Sequence, residues 1–196
     1  MESKALQVES LFGTPLWLQD FPEAAELNPI LRRTAENHIS GEPINPMRRS
    51  NRRGVRIHGL DLAAQPWSPL SAFITKVVQG LLREDLAWRL RTPGLNVHGF
   101  GGFNASHVHS NCLLSGVYYI SCPVESGDLV LEDPRGQAVF ANTYSLFRHD
   151  LGRSSVELVP HEGLLVLFPS WLSHHVEPSA AAQLRISLPI NVVLQG

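Results

Sequence analysis

The sequence has little cysteine, little charge and no long apolar run. Its two cysteines, Cys112 and Cys122, are too few for a disulfide framework and lack the CxxC spacing of a cysteine-based zinc site. We expect both to be buried free thiols in a reducing compartment. No HExxH pattern occurs, so the commonest arrangement of a zinc hydrolase is also excluded.

Charged residues make up 17% of the 196-residue chain and the net charge is −2, which argues against a general electrostatic grip on nucleic acid. No apolar run approaches the roughly 20 residues of a membrane-spanning helix. The N-terminal stretch 1–10 lacks the apolar core of a signal peptide. We therefore expect a cytoplasmic protein of one domain, 1–196, that binds neither nucleic acid nor membrane.

The first part of the chain, 1–92, is predicted to contain a short strand, two helices and an arginine-rich loop. The strand lies within 11–21, and Asn28 and Pro29 suit the N-cap and first position of a helix. A second helix is predicted in 68–90, where apolar residues recur at the helical period. They are Leu70, Phe73, Ile74, Val77, Val78, Leu81 and Leu82.

Residues 39–66 lack a strong period and are predicted to be an extended loop. They contain the basic run "MRRSNRRGVR" (47–56). If this loop covers the mouth of a binding site, its arginines favour an anionic small molecule or an acidic peptide.

After Pro93 the sequence becomes a series of short strands separated by turn residues. The predicted strands are 95–100, 113–121, 127–133, 155–160, 164–169, 174–178 and 184–194. Evenly spaced short strands indicate a sandwich or barrel, and helices placed before them indicate support on one face. The fold class is therefore mainly β (α+β), with a β core over 93–196.

Two groups of histidines flank the strand-rich half. His107 and His109 are two residues apart, so on a strand both imidazoles point to the same side. His174 follows 67 residues later, about five short strands on, where a closing barrel returns beside its start. Two imidazoles and a third ligand from that distant strand would form a facial metal site with open positions.

Arg185 and Ser187 lie beyond this last histidine on a strand that we expect to neighbour the strand of His174. They share a face because they are two residues apart. A guanidinium with a hydroxyl beside it is a suitable grip for a carboxylate.

These motifs resemble those of the Fe(II)- and 2-oxoglutarate-dependent dioxygenases, particularly a group of small bacterial and phage members. The similar stretches are "HVHSNCLLSGVYYIS", "SGDLVLEDPR", "FPSWLSHHVEP" and "RISLPINV". The resemblance covers 96–194 well and 1–95 loosely. It implies a double-stranded β-helix, a jelly-roll or cupin-like core, with Fe(II) as the metal and 2-oxoglutarate as cosubstrate.

The resemblance also implies roles for individual residues. His107 and His174 match the metal histidines, with His109 as the third ligand, and Arg185 matches the arginine that pairs with the far carboxylate of 2-oxoglutarate. Residues expected to help bind or line the pocket for this cosubstrate are Ser187, Tyr119, Asn96 and His98.

His109 departs from the superfamily pattern, which usually has Asp or Glu at this position. An all-histidine site is chemically sound because imidazole ligates Fe(II) well. It would carry one more unit of positive charge than the usual site. The sequence does not decide whether His109 ligates the metal.

The activity implied by the resemblance is hydroxylation of an unactivated C–H bond in a small molecule or peptide, with release of succinate and CO2. The alternative is a cupin-like barrel that binds metal or ligand without 2-oxoglutarate turnover. A cupin usually has a glutamate soon after its HxH motif, but here the next glutamate is Glu125. An exposed sheet edge would permit a homodimer.

Overall fold

The structure, a computed structural model, describes residues 12–39, 47–48, 50–136 and 154–195. The two helices are α1 (Ala24–Ile39) and α2 (Ser68–Leu81). The strands of the N-terminal part are β1 (Trp17–Asp20), β2 (Met47–Arg48), β3 (Asn51–Ile57) and β4 (Trp88–Arg91). Those that follow are β5 (Leu95–His107), β6 (Leu114–Ser121), β7 (Leu129–Glu132), β8 (Ser155–Leu158), β9 (Leu164–Pro169), β10 (His174–Val176) and β11 (Arg185–Leu194).

The strands form one curled antiparallel sheet in the order β1-β9-β6-β11-β5-β10-β7-β8. Strand β3 adds to β5, β2 adds to β3, and β4 adds to the end of β11. Short strands are what the turn-rich sequence predicts, and the mainly β architecture is confirmed. The N-terminal part contributes β1, β3 and β4 to the same sheet, so the sheet is larger than the predicted core.

Strand β5 joins the two halves of the curled sheet. Residues 96–98 near its start pair with both β3 and β11, and its last residue, His107, lies opposite His174 of β10. The prediction that the chain returns beside His107 is therefore confirmed. Strand β10 pairs with β5 and β7 but not with β11. The expectation that Arg185 lies on a strand next to that of His174 was wrong, because β5 separates them.

Alternation along β11 explains how the sequence builds a core and a cavity at once. Even-numbered positions pack towards the helices, while Arg185, Ser187 and Asn191 line a cavity on the other face. Successive strand side chains point to opposite faces. The apolar residues of β11 in the helix-side core are Ile186, Leu188, Ile190 and Val192.

The two helices cover one face of the sheet, as predicted. Leu31 of α1 and Leu70, Ile74 and Val78 of α2 are buried with the sheet residues in one core cluster. A second cluster, which includes Tyr119 and Phe168, fills the inside of the curled sheet. The spacing of the α2 residues fits one buried stripe at the helical period.

Helix α1 begins earlier than predicted. It starts at Ala24, so Asn28 is inside the helix and Pro29 is the sixth helical residue. Asn28 is buried, where its Oδ1 accepts a hydrogen bond of 2.7 Å from the Tyr118 hydroxyl. A tertiary contact therefore decides the position of Asn28, in place of its capping preference.

Helix α2 is shorter than predicted, and the predicted loop contains strands. The helix ends at Leu81 with no side-chain cap from Ser68, and residues 88–91 form β4 against β11. Strands β2 and β3 occupy part of 39–66, while residues 40–46 and Arg49 lie outside the described residues. Arg53 has a positive φ of 51° and the register shifts there, which breaks the alternation that would have revealed β3.

Both cysteines are free thiols, but they are half-buried instead of fully buried. Cys122 lies against the Ser126 hydroxyl at 3.4 Å. Within the described ranges, no helix is both long and apolar enough to span a membrane.

Candidate metal centre

Three histidines meet where the end of β5 lies beside the start of β10. One ring nitrogen of each of His107, His109 and His174 lies within 4.8 Å of those of the other two. The ring centroids of His107 and His174 are 4.3 Å apart, and His109 lies 5.0 and 5.2 Å from them. His107 ends β5, and His109 follows it in a turn, where its backbone N–H donates to the Ser170 carbonyl at 3.0 Å.

The Nδ1 atom of each ring donates a hydrogen bond to a neighbouring oxygen, and this fixes the ring tautomers. His107 donates to the Ala105 carbonyl at 2.7 Å and His174 to the Leu172 carbonyl at 2.9 Å. His109 donates to the Asn191 side-chain oxygen. A neutral imidazole with a proton on Nδ1 has a free electron pair on Nε2, which is the atom a metal needs.

Burial keeps these rings neutral. It lowers the pKa of His174 to about 3, with the nearby His107 adding to the effect. It also lowers the pKa values of His107 and His109. A protonated imidazole cannot bind a metal. Three imidazoles that stay neutral below the pH at which histidine is usually protonated are therefore suited to a metal centre.

Arg185 lies in the same cavity, and its charge is buried without an acidic partner. Its residue exposure is 1%, and its Nη1 donates a long 3.5 Å hydrogen bond to Nδ1 of His98. Its Cζ is 5.2 Å from the centre of the Tyr119 ring. Neither Nε nor Nη2 has a hydrogen-bond partner among the described residues. An unsatisfied buried charge is costly, so this guanidinium fits a bound carboxylate.

Other polar groups around Arg185 also lack partners. The Tyr119 hydroxyl is buried and finds no acceptor or donor among the described residues, and the same holds for the Ser121 hydroxyl. Burial raises the pKa of Tyr119 to about 12, so it remains a neutral donor. Ser187 lies directly opposite Tyr119 on β6 and Asn96 on β5. Unpartnered buried donors are what an anionic ligand would satisfy.

Asn96 and His98 occupy the cavity-facing positions of β5. Asn96 lines the cavity, and its Oδ1 accepts hydrogen bonds from Arg56 at 2.8 and 3.0 Å. His98 does not line the cavity but contacts Arg185. Burial lowers the pKa of His98 to about 3, and the charge of Arg185 adds to the effect. His98 is therefore a neutral acceptor for the guanidinium.

The Glu132 carboxylate links the strands on which the histidines lie. It accepts hydrogen bonds from Ser106 at 2.8 Å, from Ser173 at 2.7 Å and from His175 at 3.0 Å. Ser106 precedes His107 in the chain, while Ser173 and His175 flank His174. His175 thus points away from the triad, as the alternation predicts.

A cavity of about 460 Å3 contains the triad, Arg185, Ser187 and Asn96, but Tyr119 does not line it. The sequence interpretation therefore placed these residues in one region. It missed Asn191, which bonds His109, and Glu132, which bonds the chain neighbours of His107 and His174. Asn191 lies an even number of residues after Arg185 on the same strand, so it shares the cavity face of β11. The sequence pattern could therefore have identified it. Glu132 gave no sequence signal, because its partners come from two other strands.

Comparison with known proteins agrees with this geometry. Residues 95–191 match the model of a protein family described as "Putative 2OG-Fe(II) oxygenase". No curated protein sequence matches the chain. Several solved structures do share its fold.

A prolyl-4-hydroxylase from Pseudomonas putida is similar at 16% identity and a TM-score of 0.64, over 93% of this chain and 94% of that one. A prolyl hydroxylase from Trichoplax adhaerens, in complex with a hypoxia inducible factor peptide fragment, has 15% identity and a TM-score of 0.62, over 91% and 83%. HygX from Streptomyces hygroscopicus, with nickel, 2-oxoglutarate and hygromycin B bound, has 12% identity and a TM-score of 0.59, over 92% and 83%. At these identities the likeness concerns the fold.

The curled sheet, the histidine cluster and the family match together define an oxygenase of the double-stranded β-helix class. The matched region, 95–191, belongs to the 2-oxoglutarate- and Fe(II)-dependent oxygenases. Its metal is Fe(II) and its cosubstrate is 2-oxoglutarate.

Proposed function

We propose that the protein hydroxylates an unactivated C–H bond of a small molecule or peptide, with release of succinate and CO2. His107, His109 and His174 would hold Fe(II). Arg185 would hold the far carboxylate of 2-oxoglutarate, helped by Ser187 and Tyr119. Asn96 would lie at the pocket wall, and His98 would support Arg185 from outside the cavity.

One observation carries this proposal. A neutral, oriented histidine triad and a buried guanidinium without an acidic partner open into the same cavity. A metal alone would bind to the triad and leave the buried positive charge of Arg185 without a negative partner. A ligand that combines a metal-chelating end with a second carboxylate uses both groups, and 2-oxoglutarate has this form.

When bound, the iron and 2-oxoglutarate supply the oxidising chemistry with O2. The contribution of the chain is placement. The hydrogen bonds from Nδ1 of each histidine orient Nε2 towards one point, and Arg185 fixes the direction of the cosubstrate. Leu129, Phe168 and Val176 line the cavity near the triad and keep part of it dry. A substrate bond held beside the metal reacts faster because its position is already fixed.

The substrate class rests on the fold relatives. One is in complex with a peptide fragment, and another has the small molecule hygromycin B bound. A cavity of about 460 Å3 is in the usual range for small-molecule sites. The two free thiols and the need to keep iron in its Fe(II) state support a cytoplasmic location.

The test measures metal and cosubstrate binding separately. We expect the protein to bind one Fe(II) under anaerobic conditions, to bind 2-oxoglutarate in its presence, and to release succinate once O2 is admitted. Arg185→Ala should bind Fe(II) normally but 2-oxoglutarate about 100-fold more weakly, because it loses charge-assisted hydrogen bonds. Titration calorimetry measures both affinities.

Arg89→Ala is the matched control, since Arg89 does not line the cavity. Protein that binds no Fe(II), or that releases no succinate with any substrate offered, would contradict the proposal. Binding of 2-oxoglutarate without succinate release would instead indicate a binding barrel.

A further inference from the structure

The wall of the cavity is strongly basic. Among its described lining residues are four arginines, and none of the lining residues is Asp or Glu. The arginines are Arg52, Arg56, Arg91 and Arg185. Arg185 is at the buried base of the cavity, while the other three lie on β3 and β4.

Strand pairing places two of these side chains on the cavity face. Arg56 lies directly opposite Asn96 of β5, and Arg91 lies directly opposite Asn191 of β11. Residues directly opposite each other in an antiparallel pair share a face, and both asparagines line the cavity. Arg56 and Arg91 therefore line the same cavity as the three histidines.

The partners of these arginines differ. Arg56 is held by Asn96 through two hydrogen bonds and is thereby positioned. Arg91 is exposed, and its Nη2 has a weak contact of 3.8 Å with the sulfur of Cys112. Neither Arg52 nor Arg91 forms an ion pair with a described residue. Both guanidiniums are therefore available to a ligand.

The proposed metal and cosubstrate do not neutralise this charge. The three histidines are neutral, so no protein carboxylate offsets the two charges of Fe(II). The two negative charges of 2-oxoglutarate cancel those of the metal, and the arginines keep their charge. A cleft with one sign of charge concentrates ligands of the opposite sign.

We propose that Arg52 and Arg91, together with Arg56 on the wall of the same cavity, form an anion-binding subsite for a carboxylate or phosphate group on the primary substrate. This inference rests on the proposed function. Arginine suits it because its planar fork binds both oxyanions in bidentate fashion. The substrate would then be an acidic molecule, anchored at the mouth by its anionic group while its reacting carbon reaches the metal.

The test uses protein saturated with Ni(II) and 2-oxoglutarate, which does not turn over. It is titrated at constant ionic strength with inorganic phosphate in one arm and acetate in the other, and binding is followed by NMR. We expect at least one probe to bind. Arg52→Gln and Arg91→Gln should each weaken that binding about tenfold, the effect of one lost charge-assisted hydrogen bond. Their affinity for 2-oxoglutarate should stay within about twofold.

Arg89→Gln is the matched control, because it removes the same charge from the same strand outside the cavity. If Arg89→Gln weakened anion binding as much as the cavity variants do, the effect would come from the overall charge of the protein, which would overturn the proposal. So would the absence of binding by either probe, or a loss of 2-oxoglutarate affinity in Arg52→Gln and Arg91→Gln. If the protein binds neither Ni(II) nor 2-oxoglutarate, the proposed function fails by itself. The same titration of metal-free protein then decides whether the anion subsite exists.

Discussion

His109 is the residue that distinguishes this site from the two-histidine, one-carboxylate pattern that the resemblance implies. The structure places its ring in the cluster with Nδ1 bonded to Asn191, as an oriented ligand requires. We expect His109→Ala to weaken Fe(II) binding by more than the roughly 10–100-fold typical of losing a ligand's hydrogen-bond partner. His109→Asp should restore most of the affinity, since carboxylates also ligate Fe(II). Anaerobic titration calorimetry measures both.

His175→Ala is the comparison for this variant, because His175 is next to His174 but bonds to Glu132. Its Fe(II) affinity should change far less. Metal binding that survives His109→Ala and is lost in His107→Ala would remove His109 from the ligand set.

The neighbouring tyrosines of β6, Tyr118 and Tyr119, point to opposite faces of the sheet. Substituting Tyr119 therefore tests ligand binding, and substituting Tyr118 tests stability. The Tyr119 hydroxyl is buried without a described partner, whereas the Tyr118 hydroxyl donates to Asn28. We expect Tyr119→Phe to leave the metal-free protein as stable as before or up to about 1 kcal/mol more stable, and to weaken 2-oxoglutarate binding about tenfold. Tyr118→Phe should do the reverse, with a loss of about 1–3 kcal/mol because Asn28 is left unsatisfied.

Urea denaturation and 2-oxoglutarate titration of the two variants check this contrast. A large stability loss in Tyr119→Phe would mean that its hydroxyl has a structural partner. In that case it is not free for the cosubstrate.

At the residue scale, the sequence predicted those members of the site that follow a spacing rule. His107, Arg185 and Ser187 were predicted because two-residue spacing on a strand defines a face. Glu132 and Arg91 were not, since their roles depend on which strands become neighbours. Strand pairing across the chain is a tertiary property that a local pattern does not contain.

At the scale of elements, strand β9 was predicted at its observed bounds, 164–169, because it is a short apolar run between turns. Strand β3 was not, since a bulge breaks its pattern. The structure also explains why a glycine, Gly116, stands in "LSGVYY". A Cβ at Gly116 would lie 2.5 Å from the Val166 carbonyl of β9, so the close approach of β6 and β9 excludes a side chain there.

Glu132 joins three strands and gives a prediction at this scale. Its carboxylate accepts hydrogen bonds from Ser106 of β5 and from Ser173 and His175 on both sides of His174. The bond from Ser173 is the main cause of its lowered pKa. Glu132→Gln keeps the size but replaces one acceptor oxygen by a donor. We expect the triad to lose alignment and Fe(II) affinity to fall about tenfold, as for other residues that orient metal ligands.

Glu157→Gln on β8 is the matched control, because Glu157 is exposed on the strand next to Glu132. It should leave Fe(II) affinity unchanged. If the two variants behave alike in metal titrations, the carboxylate of Glu132 does not position the triad. Circular dichroism of both variants checks that the fold is retained.

At the scale of the whole molecule, four neutral histidines connect the site to the stability of the fold: His98 and His174 are buried, and His107 and His109 are half-buried. Burial lowers the pKa values of His98 and His174 to about 3 and also lowers those of His107 and His109. In the unfolded chain these imidazoles take up protons near their ordinary pKa of 6.5. Between the two values the unfolded state binds more protons, so a falling pH favours unfolding.

We therefore expect the free energy of unfolding of the metal-free protein to be highest above about pH 6.5 and to fall steeply towards about pH 5. Each such histidine contributes up to about 1.4 kcal/mol per pH unit in this range. Urea denaturation at a series of pH values measures the slope, and His98→Gln should reduce it by the share of one histidine. The carboxyl groups of Glu132 and Asp133, whose pKa values are lowered from 4.5 and 3.8, add their own loss only at lower pH. A flat profile between about pH 7 and 5 would therefore mean that the buried imidazoles are protonated in the folded protein, and a triad in that state would not bind Fe(II).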